Sequence, residues 1–96
     1  MKISDFQRLM FEIYGARDKA RGPERTMLWL VEEIGELAEA VRERNSSKLS
    51  EEFADVLAWL ASLANVVNID LETVTLSKYE SGCPVCKSIP CKCIQK

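Results

Sequence analysis

Five carboxylates stand in two short runs: Glu32, Glu33 and Glu36 within "WLVEEIGELAEAV" (29–41), and Glu52 and Asp55 within "EEFADVLAWL" (51–60). Both runs otherwise read as apolar helix. Residues three apart on a helix share a face, so Glu33 with Glu36, and Glu52 with Asp55, each form a two-carboxylate claw. Ionised carboxylates in apolar surroundings cost several kcal/mol each unless something positive pairs with them. Between residues 29 and 55 the bases are Arg42, Arg44 and Lys48, against eight acids. A divalent cation is the natural partner, and all-oxygen ligation favours Mg²⁺ or Mn²⁺ over zinc or copper. The chain has no histidine, which removes histidine-based triads and histidine metal ligands. A second set of donors lies in "CPVCKSIPCKC", as Cys83, Cys86, Cys91 and Cys93. C-x₂-C is half of a tetrathiolate zinc site, here joined to a tighter C-x-C. Paired or free thiols are the alternative, disulfides being disfavoured in a reducing compartment.

Helices must position these groups. Ser4 with Gln7 reads as a capping box opening a first helix, whose Phe6, Leu9, Met10 and Ile13 keep helical spacing until Gly15 ends it. "GARDKARGPER" then reads as a basic loop. Pro23 suits the first turn of a second helix that runs to about Arg44, with a core stripe of Met27, Leu30, Val31, Ile34, Leu37, Ala38 and Val41. "RNSSKLS" supplies a turn and a serine N-cap. The third helix then runs from about Lys48 to Val67, where Asn68 to Asp70 breaks it. Phe53, Val56, Leu57, Leu60, Ala61 and Ala64 take one of its faces, and Trp59, Leu63 and Val66 the opposite one. A helix apolar on both sides is buried on both. Glu52 and Asp55 share the Trp59 side, which one short chain leaves to be covered by a second copy. Asp70 caps a fourth helix through Leu71, Val74 and Tyr79, closed near Gly82. No strand-like alternation and no solenoid-length repeat occurs, so the expected class is all-α: a helical domain over 1–82, completed by homo-oligomerisation as a dimer or dimer of dimers, and a cysteine-rich tail over 83–96.

Ninety-six residues are enough for one domain, near the size where oligomerisation or a metal assists folding. The net charge is −2, and Lys87, Lys92 and Lys96 are the only charges after residue 82, so the first 82 residues carry −5. That balance argues against binding a nucleic-acid backbone by charge. No stretch has the length and apolarity of a membrane span, and "MKISDFQ" lacks a signal-peptide core, so a cytoplasmic location is expected.

Glu-Glu-x-x-Glu (Glu32, Glu33, Glu36), a gap of fifteen residues, then Glu-x-x-Asp (Glu52, Asp55) resembles the signature of the MazG-like all-α nucleotide pyrophosphohydrolases. The likeness spans roughly residues 3–80 and includes "EEIGELAEAV", "EEFADVLAWLASLAN" and "IDLETV". The resemblance implies hydrolysis of a (deoxy)nucleoside triphosphate to monophosphate and pyrophosphate, with Mg²⁺ on Glu33, Glu36, Glu52 and Asp55. Glu32, beside the first claw, is a candidate general base or orienting group, or simply a surface acid. Arg17, Lys19, Arg21 and Arg25, with Lys78 and Tyr79 as weaker candidates, are positioned in sequence to meet a phosphate tail or to be merely solvated. Trp29, Trp59, Phe6 and Phe53 are candidates for stacking a base or for the core. Two other readings stay open. One is a phosphoribosyl-ATP pyrophosphohydrolase, which uses a related acidic signature. The other is a non-enzymatic helical module whose tail, a zinc knuckle, binds nucleic acid.

Overall fold

The structure, a computed structural model, describes residues 1–94. Its helices are α1 (Ile3–Arg21), α2 (Pro23–Glu43), α3 (Ser46–Val66) and α4 (Leu71–Tyr79), with no strand among the described residues. Among the described residues no single helix is long and apolar enough to cross a membrane.

α1 starts and ends elsewhere than its sequence suggests. Its N-cap is Lys2, whose amide donates to the Asp5 carboxylate at 2.8 Å, so the expected Ser4–Gln7 capping box does not form. Nor does Gly15 end the helix. A glycine inside a helix costs about 1 kcal/mol against alanine, and Met10 and Asp18, buried on either side of Gly15, hold α1 together across it. The break falls at Gly22, where φ is +84°, a value that favours glycine. What reads as a basic loop is therefore the last turns of α1, and only Gly22 separates it from Pro23 at the start of α2.

Gln7 is buried and ties three elements together. Its Nε2 donates to Asn65 Oδ1 at 3.0 Å and to the Ile69 carbonyl at 2.6 Å, while its Oε1 accepts from the Leu71 amide at 2.9 Å. Asn65 Nδ2 returns a bond to the Gln7 carbonyl at 3.1 Å. The α3–α4 corner, where Asn68 adopts φ +60°, is thereby pinned to α1. At the other end of α3 the cap is Asn45, whose side chain accepts from the Lys48 amide; the expected serine cap yields to it because Asn45 alone holds the extended N-cap conformation.

α3 packs on both α1 and α2, which touch each other little, so it is the central helix, as its two apolar faces require. A two-residue turn, Arg44 (left-handed, φ +54°) and Asn45, folds it back along α2. The seam of α2 is Thr26, Leu30, Glu33, Leu37 and Ala40, at alternating spacings of four and three. The aliphatic stripe expected there is displaced: Met27, Val31, Ile34 and Val41 flank the seam and are exposed, Val31 by 52%. On α3, likewise, Trp59, Leu63 and Val66 are half-buried by the chain itself, whereas Phe53 (60% exposed), Leu57 and Leu60 are not. Counting apolar residues centres a stripe on the aliphatics, but the intrachain contact is shifted toward the acids. The chain exposes 7498 Å², against roughly 5,600 Å² for a compact monomer of its mass.

Replacing Gln7 by alanine strands the Leu71 amide, the Ile69 carbonyl and Asn65 Oδ1 together, while the bond from Asn65 Nδ2 to the backbone carbonyl of residue 7 remains. It should lower unfolding free energy by about 2–3 kcal/mol in a denaturant titration. A loss below experimental error would show that the corner holds without it.

Candidate active site

The α2–α3 seam brings the acids together. Glu33, Glu36 and Glu52 each offer a carboxylate oxygen within 4.8 Å of the others. Glu33 and Glu52 are half-buried, and the Oε2 of each is inaccessible to solvent and has no hydrogen-bond partner. Buried polar atoms in folded proteins are nearly always satisfied, so two such oxygens on residues of one carboxylate group mark a place built for something else. Desolvation raises the Glu33 pKa from 4.5 to about 7, helped by a hydrogen bond with Glu36 and repulsion from Glu36, Asp55 and Glu52. Glu52 is also raised, first by desolvation and then by repulsion from Glu36, Asp55 and Glu51. Asp55 stands outside the three-carboxylate group but close enough to act on both. It also lines a cavity of about 270 Å³ with Tyr14, Arg17, Asp18, Arg21 and Trp59.

That cavity lies between α1 and α3. At its wall Asp18 is 2% exposed, with Oδ1 paired to Arg21 Nη1 at 2.8 Å and Oδ2 unpartnered. Arg21 also donates to Thr26 Oγ1 at 3.4 Å, and its guanidinium lies 4.8 Å from the centre of a Trp59 ring. Trp29 stacks on Trp59 with centroids 5.9 Å apart. The two tryptophans thus join α2 to α3 one turn beyond the acids.

The candidates separate accordingly. Arg17 and Arg21 face the acid-bordered cavity. Lys19 lines a different hollow of about 440 Å³ with Phe11, Ala16 and Asn65. Arg25 is exposed, and Lys78 lies over the Tyr79 ring at 5.6 Å on α4, which packs on α1. Glu32 is exposed, one turn before Glu36 on the same face. Phe53 belongs to the exposed apolar face, and Phe6 is half-buried on α1. Sequence reasoning missed Asp18 because a helix ended at Gly15 cannot present it, and missed Tyr14 because the wall it shares with Asp18 and Arg21 exists only when the helix runs on past that glycine. The signal was there: Gln7, Met10, Tyr14, Asp18 and Arg21 keep helical spacing straight across that glycine.

The donor set fits a hard divalent cation. Carboxylate oxygens converge, the Oε2 atoms of Glu33 and Glu52 are buried without a partner, and among the described residues no base pairs with these acids. The four cysteines form a separate group, described below.

A family model described as the MazG nucleotide pyrophosphohydrolase domain matches residues 21–87. Among curated proteins, dCTP pyrophosphatase 1 of Rattus norvegicus is 32% identical over 95 residues, covering 83% of this chain and 56% of that protein. The Homo sapiens protein of the same name is 33% identical over 93 residues, covering 81% and 55%. The chain thus spans little more than half the length of the curated relatives it matches.

A carboxyl whose pKa is raised by folding stabilises the folded state below its ordinary pKa, and that contribution is lost as pH rises through the raised value. In metal-free protein the stability gained by Glu33→Gln should therefore grow between pH 4.5 and about 7. Thermal melts of both proteins in chelator across this range check it. A constant difference would mean that Glu33 titrates normally.

Proposed function

The chain belongs to the MazG nucleotide pyrophosphohydrolase family, and from that premise we propose that it hydrolyses a (deoxy)nucleoside triphosphate to the monophosphate and pyrophosphate, with Mg²⁺ or Mn²⁺. The observation that carries the metal-dependent reading is the pair of buried, partnerless oxygens of Glu33 and Glu52 beside Glu36. Glu33, Glu36, Glu52 and Asp55 would hold the ion. When bound, it neutralises charge on the phosphate chain and lowers the pKa of a coordinated water. The chain's own residues supply the rest. The half-buried seam keeps bulk water from the inner oxygens of Glu33 and Glu52 and so strengthens their attraction for a cation. Trp29 and Trp59 hold α2 and α3 at the spacing that sets the carboxylate separation. Asp55 borders both the acid group and the cavity, which supports a nucleotide bound there lying next to the ion. Arg17 at the rim offers charge to the phosphates, and Arg21, held by Asp18, keeps the Trp59 wall fixed. Glu32 is the candidate to accept a proton from the attacking water.

The names of the relatives make dCTP the first substrate to try, within a panel of ordinary and modified deoxynucleotides and phosphoribosyl-ATP. The exposed face of Met27, Val31, Ile34, Val41, Phe53, Leu57 and Leu60 supports assembly as a dimer or dimer of dimers. Apolar surface of this extent on one side of a helical hairpin calls for a partner surface of like kind.

Asp55→Asn keeps the side chain's shape and removes one charge, and should cut Mg²⁺-dependent pyrophosphate release by about 100-fold or more while the fold survives. Undiminished turnover would remove Asp55 from the site, and no release from any nucleotide by the parent protein would overturn the enzymatic reading in favour of a binding module. Sedimentation should give a dimer or larger, with Phe53→Glu shifting it toward monomer. A parent chain monomeric at micromolar concentration would refute the assembly.

A further inference from the structure

Residues 82–94 contain no helix or strand, yet they fold back so that four sulfur atoms, those of Cys83, Cys86, Cys91 and Cys93, all lie within 4.8 Å of one another. Cys83 Sγ is 3.7 Å from Cys93 Sγ, and Cys86 Sγ is 3.9 Å from Cys91 Sγ. A tetrahedron of metal–sulfur bonds about 2.3 Å long has edges of about 3.8 Å. A disulfide would close to about 2.05 Å.

The backbone is arranged around the sulfurs. The Lys92 amide donates to Cys86 Sγ at 3.3 Å and the Cys93 amide to Cys91 Sγ at 3.4 Å. Such outer donors suit thiolates that share a cation, since they spread the negative charge that remains. The loop that delivers them closes on itself: Lys87 N–H donates to the Cys83 carbonyl at 2.7 Å, and Cys83 N–H to the Ser88 carbonyl at 3.1 Å. It needs Gly82 (φ +101°), where a side chain would meet the Ser88 carbonyl oxygen at 2.8 Å.

Burial does not hold this loop together. Val85, Ile89 and Ile94 point outward, each more than four-fifths exposed, so the segment has sulfur at its centre and hydrocarbon outside. Short segments without an apolar core are held by cross-links or metals. We propose that Cys83, Cys86, Cys91 and Cys93 form a closed four-thiolate site for one zinc ion, and that this ion holds residues 83–93 in their fold. Binding displaces the thiol protons, and four protein ligands leave no position for water or substrate, so the role is structural. This site stands apart from the carboxylates in ligand chemistry: soft thiolates select zinc where oxygen donors select magnesium.

The test uses the full chain, purified under reducing conditions and analysed for metals. About one zinc per chain is expected. After zinc is chelated, Co²⁺ added alone should give the intense visible bands and sulfur charge transfer of a tetrahedral thiolate site, saturating at one equivalent. Cys91→Ser should weaken zinc binding by at least about 100-fold and abolish the charge-transfer band, whereas Glu52→Gln should leave both unchanged. Amide exchange in 83–93 should quicken on chelation while helical circular dichroism holds. Reduced protein without metal and with four freely titrating thiols would overturn the proposal. So would two disulfides, iron in place of zinc, or zinc retained at full strength in Cys91→Ser.

Discussion

Repulsion organises this molecule. Three carboxylates within 4.8 Å of one another, two with oxygens shut off from water, cannot all be ionised there without help. What forces them together is the packing around them. Leu30, Leu37 and Ala40 on α2, with the Trp29–Trp59 stack across to α3, bury enough apolar surface to fix the seam. Glu33 and Glu52 occupy positions in it that a helix pair built for stability alone would give to leucine. The raised Glu33 pKa records what that placement costs the bare protein.

The remaining elements follow from the need to keep α3 in register. Among the described residues it is the only helix with large contacts on two sides, and both its ends are fixed by amide side chains, Asn45 at its start and Asn65 with Gln7 near its end. α1 contributes by reaching past Gly15 to set Asp18 and Arg21 against Trp59. The acids and the α1–α3 cavity therefore share Asp55 and Trp59 as common walls.

Much of this was legible in the sequence, for reasons that also explain the rest. The claws were readable because spacing of three along one helix fixes a shared face whatever the tertiary context. α2, α3 and α4 kept their expected limits within a residue or two, since Pro23, the Asn45 region, Asn68 and Asp70 act locally. Gly15 misled because its intrinsic cost is small beside the contacts of Met10 and Asp18. The side of α2 that meets α3 was misjudged because aliphatic residues flank the acids, and nothing in composition says whether such a flank is covered by the same chain. Gln7, read as a cap, proved to be a buried bridge to residues some sixty positions away, a pairing that no local pattern encodes.

The two-residue turn between α2 and α3 has a kinetic meaning as well. Glu36 and Glu52 meet across one of the shortest loops the chain contains, so bringing them together takes little loop-closure entropy. Contacts of such low sequence separation form early, whereas the Gln7 bridge must wait for the chain ends to find each other. The charged seam therefore closes before the Gln7 bridge can, and a cation held by these acids would act on the rate at which the chain folds as well as on how firmly it stays folded.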